Sequence, residues 1–168
     1  GHTLVATLEL TKHPIYPLKT AEVFSTDPLA VLLNAFSKIE REYAGAAVQF
    51  SIRHPKKRYQ SQYRDIIKEV EKGTKVSEAI SKSTVTGEIL STVSSLFSDS
   101  NKSSENTDVT IDNEALERFR KKIDAELFEV TIRLVTSARD LETAERTMSE
   151  LQSDFNLFDD AEGNRVKF

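Results

Sequence analysis

Apolar positions change period along this chain, and each change marks an element. Leu4, Ala6, Leu8 and Leu10 alternate with Val5, Thr7 and Glu9, the period of two that a half-buried strand requires. Pro14 and Pro17 keep the stretch from Thr11 to Thr26 out of helix. Asp27-Pro28 then opens a helix. The aspartate can accept bonds from the first N–H groups, and proline's missing donor is harmless at the first helical position. Leu29, Leu32, Leu33, Phe36 and Ile39 follow at spacings that build one apolar face, which Tyr43 extends and Gly45 is expected to end. Val48, Phe50 and Ile52 alternate with Gln49, Ser51 and Arg53, predicting a strand whose first set enters the core and which Pro55 closes. Tyr59, Tyr63, Ile66, Ile67 and Val70 predict a second helix that stops at Gly73.

Between Lys82 and Asn113 the composition turns to Ser, Thr, Asn and Asp. Val85, Ile89, Leu90, Val93, Leu96 and Phe97 still recur at helical spacing, and residues 98–111 read as a linker or long loop with little to bury. Asp112 is a good cap for a helix bearing Leu116, Phe119 and Ile123. A strand with Phe128, Val130, Ile132 and Leu134 inward comes next. Asp140 then starts a helix bearing Leu141, Ala144, Met148, Leu151 and Phe155, and residues 164–168 suit a final edge strand.

Helix, strand and helix from Asp27 to Lys72 are echoed from Asp112 to Phe155, which an internal duplication or two separate uses of one pattern would both produce. The expected fold class is α+β. It is a two-layer sandwich with a small, mostly antiparallel sheet of three or four strands covered on one face by helices. Residues 1–2 read as a tag remnant, 3–97 as a first α/β half and 112–168 as a second, together one compact domain.

Composition narrows the chemistry. With 168 residues a single core can form, and 23 basic against 27 acidic side chains leave a net charge of −4, which argues against a general polyanion binder. There is no cysteine, hence no disulfide, thiol nucleophile or cysteine-bound zinc, and no apolar run is long enough to cross a bilayer. The glycines are scattered and none begins a Walker loop, and no serine sits in a nucleophile elbow. His13 and His54 lack companions at ligand or triad spacing, so no catalytic, cofactor-binding or metal residue is assigned. Asp159-Asp160-Ala161-Glu162-Gly163-Asn164 lacks the alternating order of a calcium loop and reads as a solvated acidic turn.

One cluster stands out: Arg53, His54, Lys56, Lys57 and Arg58, with Arg64 further on. Cations at a helix start oppose the macrodipole, so the placement gives up a little stability. A solvated loop, a protein contact and a nucleic-acid contact, the last helped by stacking on Tyr59 and Tyr63, all fit the cluster.

Three segments resemble a known family. They are Ile15-Tyr16-Pro17-Leu18-Lys19-Thr20 with Asp27-Pro28-Leu29-Ala30, then Ala47-Val48-Gln49-Phe50-Ser51-Ile52-Arg53, and Phe128-Glu129-Val130-Thr131-Ile132-Arg133-Leu134-Val135 with its helix. Their order is similar to the N-terminal region of bacterial conjugative-transfer and type IV secretion ATPases of the FtsK/HerA superfamily. His54 between Arg53 and Pro55, and Tyr43-Ala44 before Gly45, depart from that pattern. The resemblance implies a motor with Walker loops C-terminal to this segment. The segment itself would be a non-catalytic accessory domain contacting its own ATPase domain, ring neighbours or other secretion components. It would not insert into membrane, and it would lie in the cytoplasm at the inner face of the bacterial membrane. Oligomers are expected only in the full-length protein, and a nucleic-acid contact domain acting through Arg53 to Arg58 is the alternative.

Overall fold

A computed structural model describes residues 1–39, 42–84 and 111–168. The helix expected within 85–97 lies outside them, as does the expected linker apart from Ile111. The chain is α+β and divides into two compact units, residues 1–54 with 128–168, and residues 55–127. This division differs from the sequential halves 3–97 and 112–168. The two helix–strand–helix stretches, 27–72 and 112–155, each place a strand and one helix in the first unit and the other helix in the second.

The first unit is built on a three-stranded antiparallel sheet in the order β1 (His2–Thr7), β4 (Glu129–Ala138), β3 (Ala44–Arg53). Leu4 and Ala46 both lie opposite Thr136, and Ala6 and Val48 both lie opposite Leu134, so these residues share one face. The short strand β2 (Glu9–Leu10) pairs with β5 (Val166–Lys167), the edge strand expected at the C-terminal end. Two helices cover the sheet, α1 (Pro28–Ser37) and α5 (Leu141–Asp154). Both start as the sequence predicts. Asp27 accepts a bond from the Leu29 N–H, and Asp140 accepts one from Thr143, which holds the Asp140 carboxyl below its usual range. The core joins Leu32 and Ala35 of α1 to Leu134, Met148, Leu151, Phe155 and Val166, with Phe36, Val48 and Ile132 half-buried against it. Thr136, buried at the sheet centre, donates to the Ala144 carbonyl at 3.0 Å and ties β4 to α5.

Several expectations need correction. The first helix ends at Ser37, so Gly45 does not stop it; Gly45 sits inside β3, where an added Cβ would meet nothing within 4 Å. Leu29 and Leu33 are 60% and 59% exposed, because α1 buries the stripe through Leu32 and Ala35. Phe50, Ile52, Phe128 and Val130 face the expected way but remain exposed. The segment 159–164 is folded on itself and tied to the last strand: Asp160 accepts from the Glu162 and Gly163 N–H groups within it, and Asp159 accepts from the Val166 N–H.

Among its described residues the second unit is helical: α2 (Lys57–Glu71), α3 (Val76–Thr84) and α4 (Asn113–Asp124). Tyr63, Ile66, Ile67 and Val70 of α2 are buried together with Ala79 of α3 and Leu116 and Phe119 of α4. Gly73 ends the α2 turn at φ 91°, the left-handed conformation that favours glycine. Asp112 caps α4 by accepting from the Ala115 N–H. The helix α3 escaped prediction; Val76, Ala79, Ile80 and Ser83 do carry its spacing, in a window too short and polar to stand out.

Candidate interaction surface

Helix length decides where the sheet is open. The ten residues of α1 span about 15 Å and the fourteen of α5 about 21 Å, whereas the ten-residue strands β3 and β4 run about 34 Å. A layer of such helices cannot cover the whole face. The covered end carries Ala46, Val48, Leu134 and Thr136. At the other end Phe50 lies opposite Ile132 and Ile52 opposite Val130. Phe50 is 50% exposed, Ile52 62%, Phe128 49% and Val130 46%, so four large apolar side chains from two adjacent strands and the residue that leads into β4 form one patch. The His54 ring extends it, 5.7 Å from the Phe128 ring centre.

The opposite face of the same strands is polar, as predicted. Arg53 donates to the Glu129 carboxylate across the ladder, Ser51 lies opposite Thr131 and Gln49 opposite Arg133. An exposed cross-strand ion pair of this kind contributes at most about 1 kcal/mol. The open end is therefore amphipathic through its thickness.

The basic cluster does not assemble within one unit. Arg53 ends β3 and His54 follows it in the same unit, while Lys56, Lys57, Arg58 and Arg64 belong to the N-terminal half of α2 and its cap. Arg58 lies 5.3 Å from the centre of the Tyr59 ring. Tyr63 is buried, and burial pushes its hydroxyl up to about 12, so its ring packs in the helical core and is not offered to a base. Lys57, Arg64 and Lys68 do share one exposed face of α2. Along α4, Asn113, Glu117, Arg120, Lys121 and Asp124 line an open depression; Arg120 donates to Glu71 at 2.6 Å, which makes this a charged helix surface rather than a pocket for chemistry. Among the described residues no group of three or more His, Cys, Asp or Glu could hold a metal ion, and no helix is long and apolar enough to cross a membrane.

Sequence reasoning placed Phe50, Ile52, Phe128 and Val130 in the core and so missed the patch. The signal that could have found it is the mismatch between a helix of ten residues and strands of ten. It was hidden because the apolar stripe through Ile39 and Tyr43 lengthened the expected helix. The profile of a family described as Domain of unknown function (DUF8128) matches residues 2–166. No curated protein matches the chain, and no solved structure does.

Proposed function

The chain belongs to the DUF8128 family, and we propose that it is a non-catalytic assembly domain that docks through the open end of its sheet. The observation that carries this is the patch of Phe50, Ile52, Phe128 and Val130, four large apolar groups on one rigid sheet face. Leaving their exposed halves in water forgoes on the order of 1 kcal/mol each, a cost that a covering partner removes. The three segments that resemble secretion ATPases suggest which partner: the motor expected C-terminal to this segment, its ring neighbours, or other components of a conjugative DNA-transfer or type IV secretion complex. In that setting the domain works on the cytoplasmic side of the bacterial membrane and positions the ATPase without touching nucleotide. The alternative, a nucleic-acid contact domain, rests on the exposed face of Lys57, Arg64 and Lys68; the burial of Tyr63 takes away part of its stacking platform.

The test uses the intact polypeptide. With the motor present, Phe50→Asp and Val130→Asp are expected to reduce ring assembly and ATP turnover severalfold while far-UV circular dichroism stays that of the wild type. Ser51→Asp, on the polar face, is expected to change neither. Aspartate variants that assemble like the wild type, or a downstream sequence with no Walker loop, would sink this reading.

A further inference from the structure

β3 is ten residues long and lies at an edge of the sheet, paired among the described residues with β4 alone. From 44 to 52 it contains no charged residue and no proline, the two devices that usually blunt an edge. The other edge, β1, has six residues and leads into the β2–β5 ribbon. α5 packs across β4 and β1 more than across β3 and also against α1, which leaves the layer over β3 to α1; Leu32, Ala35 and Phe36 share one cluster with Ala46 and Val48 of β3 and with Leu4 and Ala6 of β1. On the α1 wheel Val31 and Ala35 lie on one flank of the buried stripe and Leu29 and Leu33 on the other, exposed. With the first, more buried flank set against α5, the second would face the β3 edge, and that side of the unit would present two exposed leucines beside a strand edge that no described residue pairs.

We infer that β3 pairs with β3 of a second copy of this chain, antiparallel across a two-fold axis, so that two three-stranded sheets become one of six and the two α1 helices meet above the junction. Symmetry restricts the register. A two-fold perpendicular to the sheet keeps each face on its own side, so paired residue numbers must sum to an even value. A sum of 96 sets Val48 against Val48 of the partner subunit, Ala46 against the partner's Phe50, and Ala44 against the partner's Ile52. Each large exposed side chain then meets a small one, and residues 44–52 pair along their full length. A sum of 98 sets Val48 against the partner's Phe50 and crowds the junction; a sum of 94 leaves Ile52 overhanging. A strand edge about 34 Å long and about 10 Å deep, plus about 15 Å of helix of similar depth, gives on the order of 500 Å² per copy. The total, near 1,000 Å², is at the lower bound of a specific interface, which fits a weak dimer to be sought across the micromolar range. This names a partner for the assembly reading above and rests on it only in sharing Phe50 and Ile52.

Because the chain has no cysteine, an engineered pair reports the register directly. Ala47 and Gln49 are exposed on the polar face and lie opposite each other at a sum of 96. A47C/Q49C is expected to give a covalent dimer on mild oxidation, and T3C/V5C on the other edge is not. By sedimentation velocity the wild type is expected to shift from monomer to dimer across the micromolar range. Leu33→Glu and Ile52→Glu, both at exposed positions, are expected to raise the dissociation constant at least tenfold with unchanged circular dichroism. A monomer at all concentrations, a dimer indifferent to both glutamates, or a dimer that A47C/Q49C does not link overturns the inference. Failure here with motor assembly still sensitive to Val130→Asp leaves the assembly reading standing; a β3-linked dimer with motor assembly indifferent to Val130→Asp removes that reading alone.

Discussion

Asn164 shows how much one side chain can organise. It is fully buried: Oδ1 accepts from the Lys12 and Arg165 N–H groups at 2.9 and 3.0 Å, and Nδ2 donates to the carbonyls of Lys12 and His13, each at 3.1 Å. Its own N–H donates to the Pro17 carbonyl at 2.8 Å. The stretch from Lys12 to Pro17, which overlaps the Tyr16-Pro17 motif, is thereby fastened to the C-terminal loop. Asn164→Ala leaves several buried backbone groups without partners and is expected to cost at least about 3 kcal/mol by urea denaturation. Asn164→Asp keeps the shape but turns a carboxylate oxygen toward two carbonyls, so it should be no better than alanine. Gly163 is held by the same contact: a Cβ there would lie 2.2 Å from the Pro17 carbonyl oxygen, so Gly163→Ala should also destabilise, whereas Ala161→Ser on the exposed turn should be neutral. A stable Asn164→Asp would show that the clamp is dispensable. None of this was legible in the sequence, where 159–164 reads as a solvated acidic turn. Apart from Arg165, the partners of Asn164 lie about 150 positions away, beyond any local pattern.

Elements were legible where the signal is local. The Asp27-Pro28 start, the Gly73 stop, the Asp112 and Asp140 caps and the alternation of β3 and β4 all stand as read, because a cap or a period of two depends on neighbours in sequence. What failed was extent and rotation. Leu29, Leu32, Leu33 and Phe36 fit one helical stripe, and only packing decides which edge of a broad stripe is buried. α5 gives the decision to Leu32 and Ala35. Leu32→Ala is therefore expected to cost about 2–5 kcal/mol in chemical denaturation, and Leu33→Ala less than about 1 kcal/mol under conditions where the chain is monomeric. Equal losses would mean that α1 is rotated from the position described. The same uncertainty of extent hid the patch, since a strand advertises an inward face over its whole length whether or not a helix reaches it.

At the scale of the whole molecule, the two units should respond differently to alkali. Lys122 of α4 is held down to about 8 by burial, against 10.5 when free, and Tyr63 of α2 is raised to about 12 from 10.0, chiefly by burial. Both belong to the helical unit. Between pH 8 and 10.5 the unfolded chain still holds the Lys122 proton that the folded chain has released, so stability rises with pH through that window. Above pH 10 the unfolded chain loses the Tyr63 proton that the folded chain keeps, so stability falls as pH approaches 12. Lys82, raised by its bond to Glu78, adds to the fall. The pair predicts a stability maximum near pH 10 rather than at neutrality. Urea denaturation followed by circular dichroism at pH 7, 10 and about 11.5 checks it. Lys122→Met should flatten the rise and leave the fall, and Tyr63→Phe should do the reverse. A rise that survives Lys122→Met unchanged would mean that this lysine reaches water in the folded chain and that α4 packs less closely than described.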